Sequence, residues 1–359
     1  MRSKRSALLG VAGTILLGLG LGIAAAQGTA AVTTYASGLT NPRGLAFGPD
    51  GTLYVALAGT GGDASTTAEQ CPQVEPPIGP YTAGDTAGIA SVDANGNVTM
   101  IASGLPSSVN VLGDYLGVAD VAFVGDTLYA LISGSGCSHG HADMPSGVVR
   151  IASDGSATLV ADLSAFWQAN PVAQPNRADF EPDGTAYSMV AYQGDLYVVE
   201  PNHGEVDKVA LDGTITRVVD VSAYAGHIVP TSIAVSGDSF LIGNLGVFPI
   251  VPKKDGILRL TMDGQLSAVA ADLTTVLGVV DDGKGTLYVL ESSNAEGMPQ
   301  PGAGDVVRIT STGERTIIAS GLTTPTALAM GPDGALYVSN QGYGAPPMTS
   351  EILRIEPPM

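Results

Sequence analysis

Apolar residues in this chain fall in short runs of β-branched and aromatic side chains, each cut off by glycine, aspartate or asparagine. One phrase recurs six times: DGTLYVA (50–56), GDTLYAL (125–131), GDLYVVE (194–200), GDSFLIG (237–243), GTLYVLE (285–291) and DGALYVS (333–339). Its markers Leu53, Leu128, Leu196, Phe240, Leu287 and Leu336 stand 75, 68, 44, 47 and 49 residues apart, the mark of a repeat architecture. Between them lies a second phrase, as in GIASVDANGNVTMIAS (88–103) and GVVRIASDGSATLVAD (147–162). Asn-Gly or Asp-Gly between alternating β-branched residues predicts a tight hairpin. Helical periodicity is nearly absent. Each unit therefore reads as four antiparallel strands, A (GLAFGP-like), B (LYVA-like) and the hairpin C–D. Six such units, each too small to bury its own faces, predict an all-β fold, a six-bladed β-propeller. A pair of β-sandwiches is the alternative, but it gives no reason for six similar units.

The last unit has A (Pro325–Gly331), B (Ala335–Ser339) and C (Glu351–Glu356) but no D. The spare strand is VTTYAS (Val32–Ser37), which matches RTIIAS (Arg315–Ser320) and, like it, precedes Gly-Leu-Thr and a strand A. The N-terminal strand is thus expected to complete the sixth blade and remove an open sheet edge. Antiparallel order also sorts the connections. A–B and C–D turns, built on Asp50-Gly51, Asn95-Gly96, Asp154-Gly155, Asp212-Gly213, Asp263-Gly264 and Asp333-Gly334, belong to one face. The long irregular segments 57–87, 104–117, 133–146, 163–185, 244–255, 291–304 and 340–350 belong to the other. The aspartates read as turn residues rather than calcium ligands, and function is expected on the long-loop face.

Residues 1–26 change the picture of compartment. Arg2, Lys4 and Arg5 precede an apolar run, Ala7–Ile23, and an Ala-x-Ala site at Ala24–Ala26, the layout of a secretory signal peptide cleaved near Ala26–Gln27. Residues 27–359 read as a single propeller domain, secreted or otherwise extracytoplasmic, soluble and monomeric. Loss of the leader removes three of 15 basic residues and none of 34 acidic ones, taking the formal charge from −19 to −22. Such a chain repels phosphate backbones and anionic membrane surfaces, so nucleic acid and membrane are not expected partners. The two cysteines of an exported chain, Cys71 and Cys137, lie in B–C loops of adjacent units and are expected to pair.

Candidate chemistry gathers at the ends of strand B: Glu200, Asn202 and His203; Glu291 and Asn294; Asn340; and Asn244 in the fourth unit. Ring symmetry places them on one rim, exposed, where their oxygens would suit calcium or another divalent metal. The competing reading is that they cap loops and satisfy backbone groups. His139, His141 and Asp143 in CSHGHAD form a weak zinc- or copper-type candidate that needs a strand to align both imidazoles. His227 is isolated, and no Gly-x-Ser-x-Gly elbow is present. Trp167 is either a stacking platform or a loop anchor, and Arg43 is one of few basic groups near the long-loop face.

PRGLAFGPDGTLYVA and PTALAMGPDGALYVS resemble NHL-like repeats of TolB-like propellers. Longer phrases, at 161–209, 229–250 and 304–344, resemble the ScyD/ScyE family of secreted propellers over roughly residues 32–356. Named members accompany cyanobacterial scytonemin biosynthesis. The resemblance implies the fold and an extracytoplasmic role, not the reaction. The rim is also similar to gluconolactonase-type propellers, which hold a central metal with Glu, Asn and Asp; NPRGLAFGP here offers no acidic counterpart. Two functions are expected to compete: binding of a small molecule, glycan or protein through the long-loop face, and a metal-dependent hydrolase or lactonase using the Glu/Asn rim.

Overall fold

The computed structural model describes residues 30–358, so the expected leader and cleavage site lie outside the described residues. Six antiparallel sheets form the blades of a propeller. The first comprises β2 (Pro42–Phe47), β3 (Leu53–Leu57), β4 (Tyr81–Val92), β5 (Val98–Asn110) and a short β6 (Tyr115–Leu116). The second runs from β7 (Val118–Val124) to β10 (Ala157–Asp162), the third from β11 (Ser188–Tyr192) to β14 (Ile215–Asp220), the fourth from β15 (Pro230–Ser236) to β18 (Leu266–Leu273), and the fifth from β19 (Val276–Asp281) to β22 (Arg315–Leu322). The sixth joins β23 (Ala327–Met330), β24 (Leu336–Asn340) and β25 (Ser350–Glu356) to β1 (Ala31–Leu39), strand D of the blade. β1 pairs antiparallel with β25, from Ala31 opposite Glu356 to Leu39 opposite Ser350. The N-terminal strand does close the ring.

The core is divided among the gaps between blades, which explains the apolar pattern of strand B. Leu196 and Val198 face the second blade beside Leu131 and Val148, while Tyr197 and Val199 face the fourth beside Phe240 and Ile242. A strand buried on both faces shows an unbroken apolar run rather than alternation. Each strand A lies innermost and contacts strand A of its neighbours, and the circle closes between β2 and β23.

The Asp-Gly turns behave as turn chemistry. Asp50, Asp154 and Asp212 each accept the backbone N–H two residues on, from Thr52, Ser156 and Thr214; with the hydroxyl of the same residue, which is the larger influence at Asp154, these bonds hold all three carboxyls below their ordinary pKa. Their glycines carry a second constraint. Gly96, Gly155, Gly213 and Gly264 have φ of +81, +82, +91 and +84°. A Cβ on them would stand 2.2–2.7 Å from carbonyls of Tyr35, Ile101, Val160 and Val218, each on strand D of the preceding blade. The turns therefore help to set the blade spacing.

Two expectations change in detail. Segments 57–87 and 104–117 are not wholly irregular: β4 and β5 continue past the blade, pairing Tyr81 with Asn110, and β6 adds a fifth strand. Helix is scarce but present. Leu163–Ala169 (α1) and Val221–Ala225 (α2) follow strand D of the second and third blades, capped by Asp162 and Asp220, whose side chains accept from Ala165 and Ala223. Helices this short depend on the cap and on packing, and leave little periodicity to read.

A chain beginning at Leu39 loses β1, leaving β25 an open edge and removing Ala36 from its apolar cluster with Leu53 and Tyr337. It should aggregate or melt without cooperativity, whereas a chain beginning at Gln27 melts sharply; equal solubility and melting of the two would refute ring closure. Gly213→Ala should lower unfolding free energy in urea by ~1–3 kcal/mol, because the left-handed backbone and the Val160 carbonyl both oppose a Cβ. A change near zero would show that the turn is free to relax.

Candidate functional site

The long-loop face carries a funnel at the mouth of the central channel, a cavity of about 610 Å³. Its floor is polar. Arg43, in strand A of the first blade, is nearly buried and donates through Nη2 to the Tyr115 carbonyl and, at 3.4 Å, to Asp114. Burial raises the Asp114 carboxyl although Arg43 opposes the shift. Tyr187, from the third blade, donates its hydroxyl to the Thr326 carbonyl of the sixth at 2.8 Å. Those blades stand opposite each other in a ring of six, so the phenol bars the channel. Burial lifts the phenols of Tyr187 and Tyr343, another lining residue, to about 12. Below the bar, Asp120 lies in the channel and accepts from Met189, Val121 and Ser188. Burial outweighs those bonds and raises its carboxyl to about 7. Gly44 leaves the space: a Cβ there would lie 1.9 Å from Asp120 Oδ1.

One wall of the funnel is a histidine–carboxylate seam. Glu181 Oε2 meets His139 Nε2 at 2.6 Å, and its Oε1 accepts from Tyr81. His227 Nε2 lies 2.7 Å from Asp179 Oδ2, and this pair also lines the cavity. The Cys71–Cys137 disulfide, with Cα atoms 6.2 Å apart, ties the 57–87 loop to the short turn that carries His139. The expected pairing is present, and it befits an oxidising compartment. Among the described residues no helix is long and apolar enough to cross a membrane.

Of the nine ligand-binding candidates read from the sequence, Arg43 and Asn202 line the funnel. The expectation of an exposed rim is corrected. Glu200, Asn202, His203, Asn244, Glu291 and Asn340 are buried, and Asn294 alone of the rim group is exposed. The cause is backbone demand where strand B ends. Glu200 accepts from Thr185 and His203, Glu291 from Thr274, and Asn340 from Thr323. Asn244 bridges Asp255 and Gly256, Asn294 donates to Asp305, and Asn202 binds Thr185 and the Asp179 carbonyl. Each latch stays within its own blade, tying the end of strand B to the start of C or to the preceding loop. Their oxygens do not converge as a cation's ligands, and among the described residues no group of three or more His, Cys, Asp or Glu does. His139 and His141 also diverge. Cys137–His139 is a 3-10 turn rather than a strand, so His139 points to Glu181 and His141 to the carbonyls of Gly84 and Ser107, while Asp143 is exposed. A divalent metal does not fit these donors.

Trp167 is an anchor. It is 1% exposed, and its Nε1 donates to Asp207 Oδ2 at 2.7 Å. Beneath its loop sits a buried charge network. His203 stacks on Phe180, meets Trp167 edge-on, and donates Nε2 to the Glu181 carbonyl at 3.0 Å. Burial disfavours the imidazolium, but Glu200 and Glu205 outweigh it and lift its pKa to about 9. Burial and Glu205 together push the Asp207 carboxyl well up. The sequence reading missed Tyr81, Asp114, Asp179, Glu181, Tyr187 and Tyr343, and found His227 isolated. Asp179 and Glu181 stand in the long 163–185 segment, Tyr81 in 57–87, Asp114 in 104–117 and Tyr343 in 340–350, a usable signal of face; which of them meet is set by the fold, and Tyr187 lies just outside these segments.

Fold and site together define a six-bladed β-propeller with a ligand-sized funnel on one face. No protein-family model matches the chain, and no curated protein matches it. Solved structures do. A protein of unknown function from Bacteroides thetaiotaomicron is similar at 11% identity and a TM-score of 0.56, over 90% of this chain and 76% of that one. A gluconolactonase from Xanthomonas campestris is similar at 12% and 0.52, over 91% and 90%. The PQQ-bound aldose sugar dehydrogenase of Streptomyces coelicolor is similar at 14% and 0.52, over 91% and 98%. These likenesses show the fold.

The His203 network fixes a direction of pH dependence. A folded pKa of about 9 against an ordinary 6.5 means stabilisation complete below pH 6.5 and lost as pH rises through 9. Its full size is up to about 3 kcal/mol. Urea unfolding across that window should show the fall in the native chain and a much flatter profile in His203→Gln. Parallel profiles would mean that His203 is neutral in the folded state.

Proposed function

We propose that this protein is a secreted propeller of the ScyD/ScyE type that binds a small organic molecule in the funnel. The observation that supports the reading is the cavity itself. It has the volume of a small-molecule pocket, its floor combines a guanidinium, carboxylates and phenols, and its walls come from loops of several blades. Glycan and protein ligands fit less well, since the polar groups lie at the bottom of a concave site. One observation favours a second reading. The Asp179–His227 pair faces the cavity, and a carboxylate-oriented imidazole can serve as a general base toward a bound ester or lactone. The gluconolactonase likeness is compatible with that chemistry, carried here by the dyad rather than by a metal on the Glu/Asn rim.

The test is an affinity-selection screen of drug-sized compounds, esters and lactones against the exported chain. Compounds retained should bind at least ~10-fold more weakly to Asn202→Ala and Tyr343→Ala, the loss expected when a buried contact goes. Asp212→Asn, on the turn face, should leave binding unchanged. Retention that follows Asp212 and ignores the funnel pair would place the site on the wrong face. Turnover of an ester that is lost in His227→Gln would select the hydrolytic reading.

A further inference from the structure

The mouth of the funnel is more apolar than its floor, and the side chains that make it so are left in water. Leu112, at the end of the long hairpin of the first blade, is 60% exposed. Val247 and Phe248, in the B–C loop of the fourth blade, are 54% and 47% exposed, and Met298, in that of the fifth, is 55% exposed. All four line the cavity, with Pro77 and Ile78 on the wall tied down by the disulfide. Side chains from three blades thus form an apolar collar around one opening. Exposed apolar groups grouped at a concave site mark what the site covers, and a sugar, hydroxylated on every side, would leave this collar unsatisfied.

Charge narrows the class further. Among the described residues three carboxylates, Asp114, Asp179 and Glu181, line the funnel, and Arg43 is the one permanent cation. Nη2 of that arginine is already engaged by the Tyr115 carbonyl and Asp114. An incoming anion would meet more like charge than opposite charge in a partly desolvated site, inside a strongly acidic chain. A neutral hydrogen-bonding end meets no such penalty, because the Tyr343 phenol and the carboxylates of Asp114 and Asp179 offer a donor and acceptors together.

Resting on the reading of the funnel as a small-molecule site, we propose that its occupant is an amphiphile: an apolar ring or chain held by the Leu112, Val247, Phe248 and Met298 collar, with an uncharged polar end on the Arg43–Asp114–Tyr343 floor. The site selects against sugars by the collar and against anions by the floor.

Two fluorescent probes share one skeleton and differ by a sulfonate: neutral N-phenyl-1-naphthylamine and anionic 8-anilinonaphthalene-1-sulfonate. Titrated into the exported chain, the neutral probe should bind at one site per chain, roughly tenfold or more tighter than the sulfonate. Millimolar glucose or glucono-δ-lactone should not displace it. Phe248→Ser and Leu112→Ser should each weaken it about fivefold or more at unchanged melting temperature, since both side chains are exposed. Leu211→Ser, an exposed apolar residue near the opposite face, should have no effect. Sulfonate binding as tight as the neutral probe, or neutral-probe binding that ignores Phe248 and Leu112, overturns the proposal. If the neutral probe does not bind but gluconolactone does, and Asn202→Ala abolishes it, the ligand class is wrong and the funnel reading stands. If no probe or sugar binds, the funnel reading falls and this inference with it.

Discussion

The hydrogen-bonded ladder between β1 and β25 is the constraint on which the rest depends. No blade of four short strands can bury both its faces, and here the core is six separate apolar layers, one in each gap between blades. Such layers exist only when every blade has two neighbours. The last gap is filled from both ends of the chain: Ala36 and Leu39 come from the start, Tyr337 and Ile352 from the end, and they pack on Leu53 and Val55. Polar bonds cross the same seam, from Thr326 to the Pro42 carbonyl and from Ser339 to that of Arg43. Closure therefore also fixes the backbone of Arg43 at the floor of the funnel.

A ring of short strands leaves many unpaired backbone groups where strands end, and buried ones must find partners. That demand accounts for the polar residues after strand B. Glu200, Asn244, Glu291 and Asn340 hold equivalent places in four successive blades and meet similar needs, each binding backbone N–H groups beside its own strand. Their repetition reflects the repeat, not a shared ligand. The third blade goes further. Its latch is joined to His203, Glu205, Asp207 and Trp167, so the loop over the funnel wall rests on buried charge rather than on apolar packing alone. Chemistry is better sought where the symmetry breaks.

This distinction explains what could be read from the sequence. Blade number, strand order, ring closure and the two faces follow from local patterns repeated along the chain, and repetition amplifies a weak signal; the Cys71–Cys137 pair follows from the chain having two cysteines, which those patterns place on one face in adjacent units. Exposure of the rim did not follow, because the same pattern that locates Asn244 or Glu291 says nothing of the N–H groups folding brings beside them. The funnel was legible only as a face. Arg43 meets Asp114 across 71 residues, His139 meets Glu181 across 42 and Tyr187 meets Thr326 across 139. None of these pairs repeats in the other blades, so no periodicity announces them.

The Tyr187 bar gives the funnel its character. A propeller channel open at both ends would be a water-filled pore, and charges along it would be screened. With the phenol anchored on the Thr326 carbonyl, the long-loop side becomes a blind cavity whose floor groups sit in reduced dielectric. The raised carboxyl of Asp114 is a consequence, and so is the weight its pairing with Arg43 carries. Asp120 lies on the far side of the bar, raised to about 7, and is separated from anything held above it. Tyr187 thus divides one channel into the funnel and a second cavity walled by the inner strands, into which Asp120 brings the main charge beside Asp281.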